Sequence, residues 1–185
     1  MSDKYELNIC GLKRYLRKVP VSPELTIASF VMLGDTELVE KCADAIAERL
    51  RKLDKKIEIL VSPEAKGIPL AHAVAVRLGI DYVVVRKSVK GYMENPLTVK
   101  VKSITTAKEQ TLVIDGLAVD RLKGKNVAVI DDVVSTGGSL RSLREILAKT
   151  GCNIVAEAAV LLEEAGYEDE NLIYLERLPI FKTEA

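Results

Sequence analysis

The stretch Asn126 to Arg144, NVAVIDDVVSTGGSLRSLR, joins an apolar run, two acids, a turn of small residues and a helical pattern. Val127 to Ile130 has the β-branched, apolar composition of a strand buried on both faces of a parallel sheet. The two acids Asp131 and Asp132 are expected to end it. Leu140, Leu143, Ile146 and Leu147 then recur at helical spacing, and Gly151 marks the helix stop. The unit reads strand, turn, helix.

Between strand and helix lie Ser135, Thr136, Gly137, Gly138 and Ser139. Their small side chains let backbone N–H groups converge on one point at a helix N-terminus, an arrangement that attracts an anion, most often a phosphate. The two carboxylates just before the turn fall at the carboxyl edge of the sheet, where a sugar joined to that phosphate would present its hydroxyls. Carboxylates accept hydrogen bonds from vicinal hydroxyls well. The pattern therefore describes a ribose 5-phosphate cradle. It lacks the Gly-Lys-Ser/Thr ending of a Walker loop and the glycine spacing of a dinucleotide fingerprint.

The segment Val129 to Ser139 resembles the phosphoribosyl pyrophosphate (PRPP) signature of type I phosphoribosyltransferases. The resemblance implies that Asp131 and Asp132 hold the ribose hydroxyls and that Ser135 to Ser139 hold the 5-phosphate. A second loop, Glu64-Ala65-Lys66-Gly67, is similar to the pyrophosphate loop of adenine phosphoribosyltransferases, with Lys66 where that family has arginine. Lysine offers no planar two-pronged donor, so the substitution changes how pyrophosphate is held. The cations Arg86, Lys87 and Lys90 resemble that family's Arg-Lys-x-x-Lys, which implies pyrophosphate contacts, with Lys87 foremost.

Composition bounds the rest. A chain of 185 residues suits one domain, 1–185, with a sizeable core. Its 27 basic and 27 acidic residues cancel, so no overall field favours nucleic acid or an anionic membrane. Cys10, Cys42 and Cys152 are widely spaced and odd in number, which argues for reduced thiols rather than a disulfide frame or zinc site. No apolar run approaches the roughly 20 residues that span a bilayer, and the first residues lack a signal-peptide core, so a cytoplasmic location is expected.

In chain order, residues 1–34 mix a basic patch (Lys13, Arg14, Arg17, Lys18), read as a solvated face, with the apolar piece LTIASFVML. Asp35 suits an N-cap for a helix whose stripe is Leu38, Val39, Cys42, Ala43, Ile46, Ala47 and Leu50. Cys42 lies on that stripe and reads as a small hydrophobe. Ile57 to Val61 is the next strand, followed by a helix with Pro69 in its first turn, running through Leu78. His72 on this helix reads as packed or surface-exposed. Tyr82 to Val85 is a further strand, ending at the basic loop. Leu97, Val99 and Val101 alternate with Thr98, Lys100 and Lys102 before Gln110 to Ile114, a hairpin pattern with SITTAKEQ at its tip. Ile154 to Leu162 and Leu172 to Leu175 complete the strands, joined by an acidic, solvated connection. Phe181 either closes the core or stacks near a ligand.

Strands alternating with helices call for an α/β fold with a mainly parallel sheet flanked by helices, whose ligands bind beyond the carboxyl ends of the strands. The resemblance adds a small hood over the nucleobase from residues 1–34, a β flap over residues 88–118 that excludes water, a homodimer, and Mg2+ held mainly by PRPP and water rather than directly by protein. It implies transfer of ribose 5-phosphate from PRPP to a purine base, adenine first, with no nucleic-acid or membrane partner. Adenine-specific members carry an acid in the flap. Here that position is Thr106, with Glu109 three residues on as the remaining catalytic candidate. The 6-oxopurine enzymes place an aspartate just before the Thr-Gly of the phosphate turn, where this chain has Ser135. These departures keep two alternatives open: a hypoxanthine, guanine or xanthine enzyme, and a PRPP-sensing regulator without catalysis.

Overall fold

The computed structural model describes residues 4–102 and 109–182. Its centre is a five-stranded, wholly parallel sheet in the order β10-β9-β8-β4-β5, comprising β4 (Ile59–Pro63), β5 (Asp81–Val85), β8 (Asn126–Val134), β9 (Asn153–Glu163) and β10 (Leu172–Leu178). A parallel order puts every carboxyl end on one edge, so the loops leaving β4, β5, β8 and β9 gather there.

Helices α1 (Thr36–Arg51) and α2 (Ile68–Leu78) cover one face. All seven apolar residues of the α1 stripe are buried, Cys42 completely. Asp35 caps the helix by accepting a bond from the Leu38 N–H at 3.1 Å. The other face carries α4 (Gly138–Ala148), whose Leu140, Leu143, Ile146 and Leu147 are buried against it. The hairpin of β6 (Leu97–Lys102) and β7 (Glu109–Ile114) packs on the same side, its Val99, Val101, Leu112 and Ile114 joining the core of α4. Reciprocal backbone bonds of 2.8 Å between Arg86 and Val113 dock β7 onto the end of β5. The short helix α3 (Gly116–Leu122), absent from the sequence reading, links hairpin and sheet.

Two expectations need correction. The strand does not stop at the acids: β8 runs on through Asp131 and Asp132 to Val134, because β9 pairs with it along that length, Asp131 opposite Ala159 and Val134 opposite Leu162. Residues 4–29 form three antiparallel strands, β1 (Lys4–Ile9), β2 (Leu12–Ser22) and β3 (Leu25–Ser29), joined by β11 (Ile180–Lys182) in a separate sheet. This sheet lies over the α1 side: Leu7, Ile9, Ala28, Phe30 and Met32 share one core with α1 and α2. Phe181 packs at the margin of that core, edge-on to Tyr5. The basic patch is more than a solvated face, since Arg14 is half-buried and holds Asp35 at 2.6 Å and Glu37 at 2.8 Å, binding β2 to the start of α1. His72 is exposed on α2, edge-on to Tyr82.

Candidate functional site

At the end of β8, Asp131 and Asp132 are 7% and 5% exposed, adjacent carboxylates inside a strand. The Asp132 N–H donates to Asp131 Oδ1 at 2.8 Å. Lys66 Nζ lies 3.3 Å from Asp132 Oδ2, close enough for an ion pair but without the alignment of a hydrogen bond, so that buried oxygen has no hydrogen-bond partner. An unpartnered buried carboxylate oxygen is costly in isolation and is well suited to a donor arriving with a ligand. Burial raises the Asp131 pKa above the ordinary carboxylate range, the neighbouring Asp132 charge raises it further, and Lys66 partly opposes both.

Lys66 is delivered by the loop after β4. Its first peptide, Glu64–Ala65, is cis, and Gly67 N-caps α2. A Cβ at Gly67 would lie 2.6 Å from Ser62 Oγ and 3.3 Å from Asp131 Oδ1, so only glycine lets the loop pack this closely on the acids. Glu64 organises the next loop as well: it holds the Arg86 guanidinium at 2.6 Å and accepts the Lys87 N–H at 2.7 Å. Arg86 is thus occupied, whereas Lys87 is exposed and lines the cavity described next. Lys90 donates to Ser88 Oγ at 2.7 Å.

The glycine turn after β8 follows directly. Gly137 takes φ +73°, a conformation that glycine adopts without strain, and α4 begins at Gly138 with no side-chain cap. Its first-turn N–H groups are thereby left for a ligand. Ser135 to Ser139 and Lys87 line one cavity of about 420 Å³, roofed by Val101, Gln110 and Leu112 of the hairpin. On the far side of the turn the Tyr167 ring packs directly on Gly137, where a Cβ would come within 2.2 Å of it. Tyr167 is held through its hydroxyl to Asp169 at 3.1 Å, and Arg144 joins Tyr167, Asp169 and Glu157 in one network.

The structure therefore brings Ala65, Lys66, Gly67, Asp131, Asp132, Ser135 to Ser139, Arg86 and Lys87 to a single edge. Glu109 opens β7 opposite Lys102, and its side chain, like all of Thr106, falls outside the described residues. Three participants escaped the sequence reading: Glu64, which binds two loops together, Tyr167, and Glu163. The last begins the acidic run read as solvated, yet it is buried and accepts a bond from Ser135 Oγ. Its place one residue beyond an apolar strand was the available signal.

Comparison with known proteins follows the same lines. The phosphoribosyl transferase domain family matches residues 32–179. The chain belongs to this family. It is 34% identical over 133 residues to the hypoxanthine/guanine phosphoribosyltransferase of Methanosarcina acetivorans, a match covering 72% of this chain and 65% of that protein. It is 30% identical over 172 residues to the adenine phosphoribosyltransferase of Thermosipho africanus, covering 89% of this chain and 97% of that one. Among solved structures, the adenine phosphoribosyltransferase of Thermoanaerobacter pseudethanolicus superposes with a TM-score of 0.68 at 22% identity, over 88% of this chain and 95% of its own, a likeness of fold. This phosphoribosyltransferase thus has relatives among both kinds of purine enzyme.

Proposed function

We propose that this phosphoribosyltransferase transfers ribose 5-phosphate from PRPP to a purine base in purine salvage, releasing pyrophosphate, with adenine as first substrate and AMP as its product. The observation that carries the reading is the buried acid pair, one oxygen unpartnered, continuous with a glycine turn that opens α4. One end of the segment accepts hydroxyls and the other donates to phosphate.

In this reading the backbone N–H groups of Thr136 to Ser139 hold the 5-phosphate. Asp131 and Asp132 accept the ribose 2′- and 3′-hydroxyls and favour the positive charge that develops on the sugar. Lys66 and Lys87, with the backbone at Ala65 and Gly67, receive the departing pyrophosphate, and Glu64 holds the two loops that carry them in register. Arg86 contributes chiefly through that framework, and Lys90 borders it. Mg2+ would take most of its ligands from PRPP and water, as a hard, reluctantly dehydrated cation does, and the acids offer it outer contacts. It would supply charge neutralisation for the leaving group. The β6–β7 hairpin roofs the cavity as a flap, and the β1–β3 sheet is the hood over the base. A homodimer in the cytoplasm completes the proposal; among the described residues no helix is long and apolar enough to cross a membrane.

The similarity to the Methanosarcina acetivorans enzyme favours a second reading, hypoxanthine or guanine as the base. Incubation with PRPP, Mg2+ and adenine, hypoxanthine, guanine or xanthine, with the nucleotide identified by mass, tests both. AMP formation is expected. Turnover of a 6-oxopurine alone reassigns the base, and PRPP binding without turnover of any base refutes transfer in favour of a sensor.

A further inference from the structure

Glu163 ends β9 at the edge where the other functional loops gather. It is 8% exposed, and its Oε2 accepts the Ser135 hydroxyl at 2.5 Å. Of the other buried or half-buried carboxylates of that edge, Asp132 is engaged with Lys66 and Glu64 with Arg86, while Asp131 accepts the Asp132 N–H. Among the described residues Glu163 has no cation within ion-pair distance, and its one side-chain partner is the hydroxyl. Sequestering a carboxylate with a single neutral donor costs stability.

Its location fits a proton acceptor for the base. Ser135 lies between the acids that take the ribose hydroxyls and the turn that takes the 5-phosphate, and it lines the cavity. A sugar held at both ends lies along this segment, with its C1′ substituent beside it. Two residues earlier, Val133 and Leu161 pair across β8 and β9, and both pack in the core that holds Phe30 and Met32. By strand alternation Glu163, the last residue of β9, continues on that face, and Ser135, in the turn just after β8, meets it through their hydrogen bond.

We infer that Ser135 and Glu163 form a proton relay that deprotonates the incoming base, with Ser135 as the catalytic contact and Glu163 as the residue that positions and drains it. This rests on the purine-transfer reading. The base N–H bond breaks as its proton passes to Ser135 Oγ, while the Ser135 O–H bond breaks as its own proton passes to Glu163 Oε2. The nitrogen electron pair freed in this way forms the bond to C1′, and the C1′–O bond breaks with its electrons leaving on pyrophosphate. On product release the proton on Glu163 returns to water. No oxidant or further reactant is needed.

The test compares Glu163→Gln, Glu163→Asp and Ser135→Ala with the wild-type enzyme, using PRPP and whichever purine the wild type accepts. Gln keeps the shape and can still accept the serine hydroxyl, but it cannot take a proton. We expect kcat to fall about 100-fold in Glu163→Gln, within the range of general-base catalysis. KM for PRPP should stay within twofold, and the melting temperature should be unchanged. Activity should return in Glu163→Asp, which restores a carboxylate as proton acceptor. Activity within twofold of wild type in Glu163→Gln, a loss that Glu163→Asp does not reverse, or a loss that appears in KM for PRPP rather than in kcat, overturns the relay and leaves purine transfer standing. A wild type that turns over no purine overturns both.

Discussion

Replacing Asp131 with asparagine should destroy PRPP use and make the protein more stable. Asparagine has nearly the same volume, and its Oδ1 can still accept the Asp132 N–H that now lies 2.8 Å away, so the packing is kept. What disappears is one of two adjacent buried negative charges that share a single cation, Lys66. An unbalanced buried polar group costs about 1–3 kcal/mol, and more if charged. Taking about 2 kcal/mol, and about 2–4 °C per kcal/mol for a chain of this size, the melting temperature should rise by about 4–8 °C. The gain carries a definite pH signature. Burial and the Asp132 charge raise the folded-state pKa of Asp131 above its unfolded value. Its contribution to wild-type stability is therefore fully present below the unfolded pKa and is lost as pH rises through the folded one. Wild type and Asp131→Asn should melt together near pH 3 and diverge toward pH 8, with the variant higher. Calorimetry across that range decides it. A variant less stable than wild type at pH 8, or a gain that persists unchanged at pH 3, refutes the claim that the acids are held together against their own repulsion.

Two further substitutions address the other half of the site. Gly137→Ala places a methyl group 2.2 Å from the Tyr167 ring and at φ +73°, a backbone penalty of about 1–2 kcal/mol before any clash. A lower melting temperature and at least tenfold weaker PRPP binding by calorimetric titration are expected, and unchanged binding would show that the turn does not hold the phosphate. Lys87→Ala removes the exposed cation lining the cavity. Charge-assisted contacts are worth about 1.5–3 kcal/mol, so KM for PRPP should rise roughly 10- to 100-fold with the fold intact, and an unaltered KM would assign Lys87 to solvent.

Sequence and structure agree most closely where one physical signal dominates. The α1 stripe from Leu38 to Leu50 was readable because helical period and burial coincide, and every member is buried. The strand, turn and helix around Ser135 to Ser139 were readable because acids, hydroxyls and glycines stand together. The continuation of β8 was hidden because Asp131 and Asp132 break the apolar run, while what extends the strand is pairing with β9, a neighbour remote in sequence. Residues 4–29 were obscure because β2 interrupts the alternation that β1 shows, with the paired cations Lys13-Arg14 and Arg17-Lys18 reading as a basic patch rather than a strand. Glu163 was hidden for a different reason. Its one local signal is its place directly after the apolar strand, and what sets it apart from the exposed Glu164 is the bond from Ser135 in the turn after the neighbouring strand.

The antiparallel sheet also has a temporal side. Its fourth strand comes from residues 180–182, with Ile180 opposite Ile27 and Lys182 opposite Leu25. During synthesis the strands β1 to β3 emerge first and can pair with one another, but the outer edge of β3 stays open until almost all of the parallel sheet has been made. Unpaired edges invite association between chains, and long-range closure is slow. A nascent chain paused anywhere before β11 thus displays a free backbone edge beside the apolar residues Phe30 and Met32. Trimming the chain ahead of Ile180 would turn a passing stage of synthesis into a permanent docking edge for a second copy.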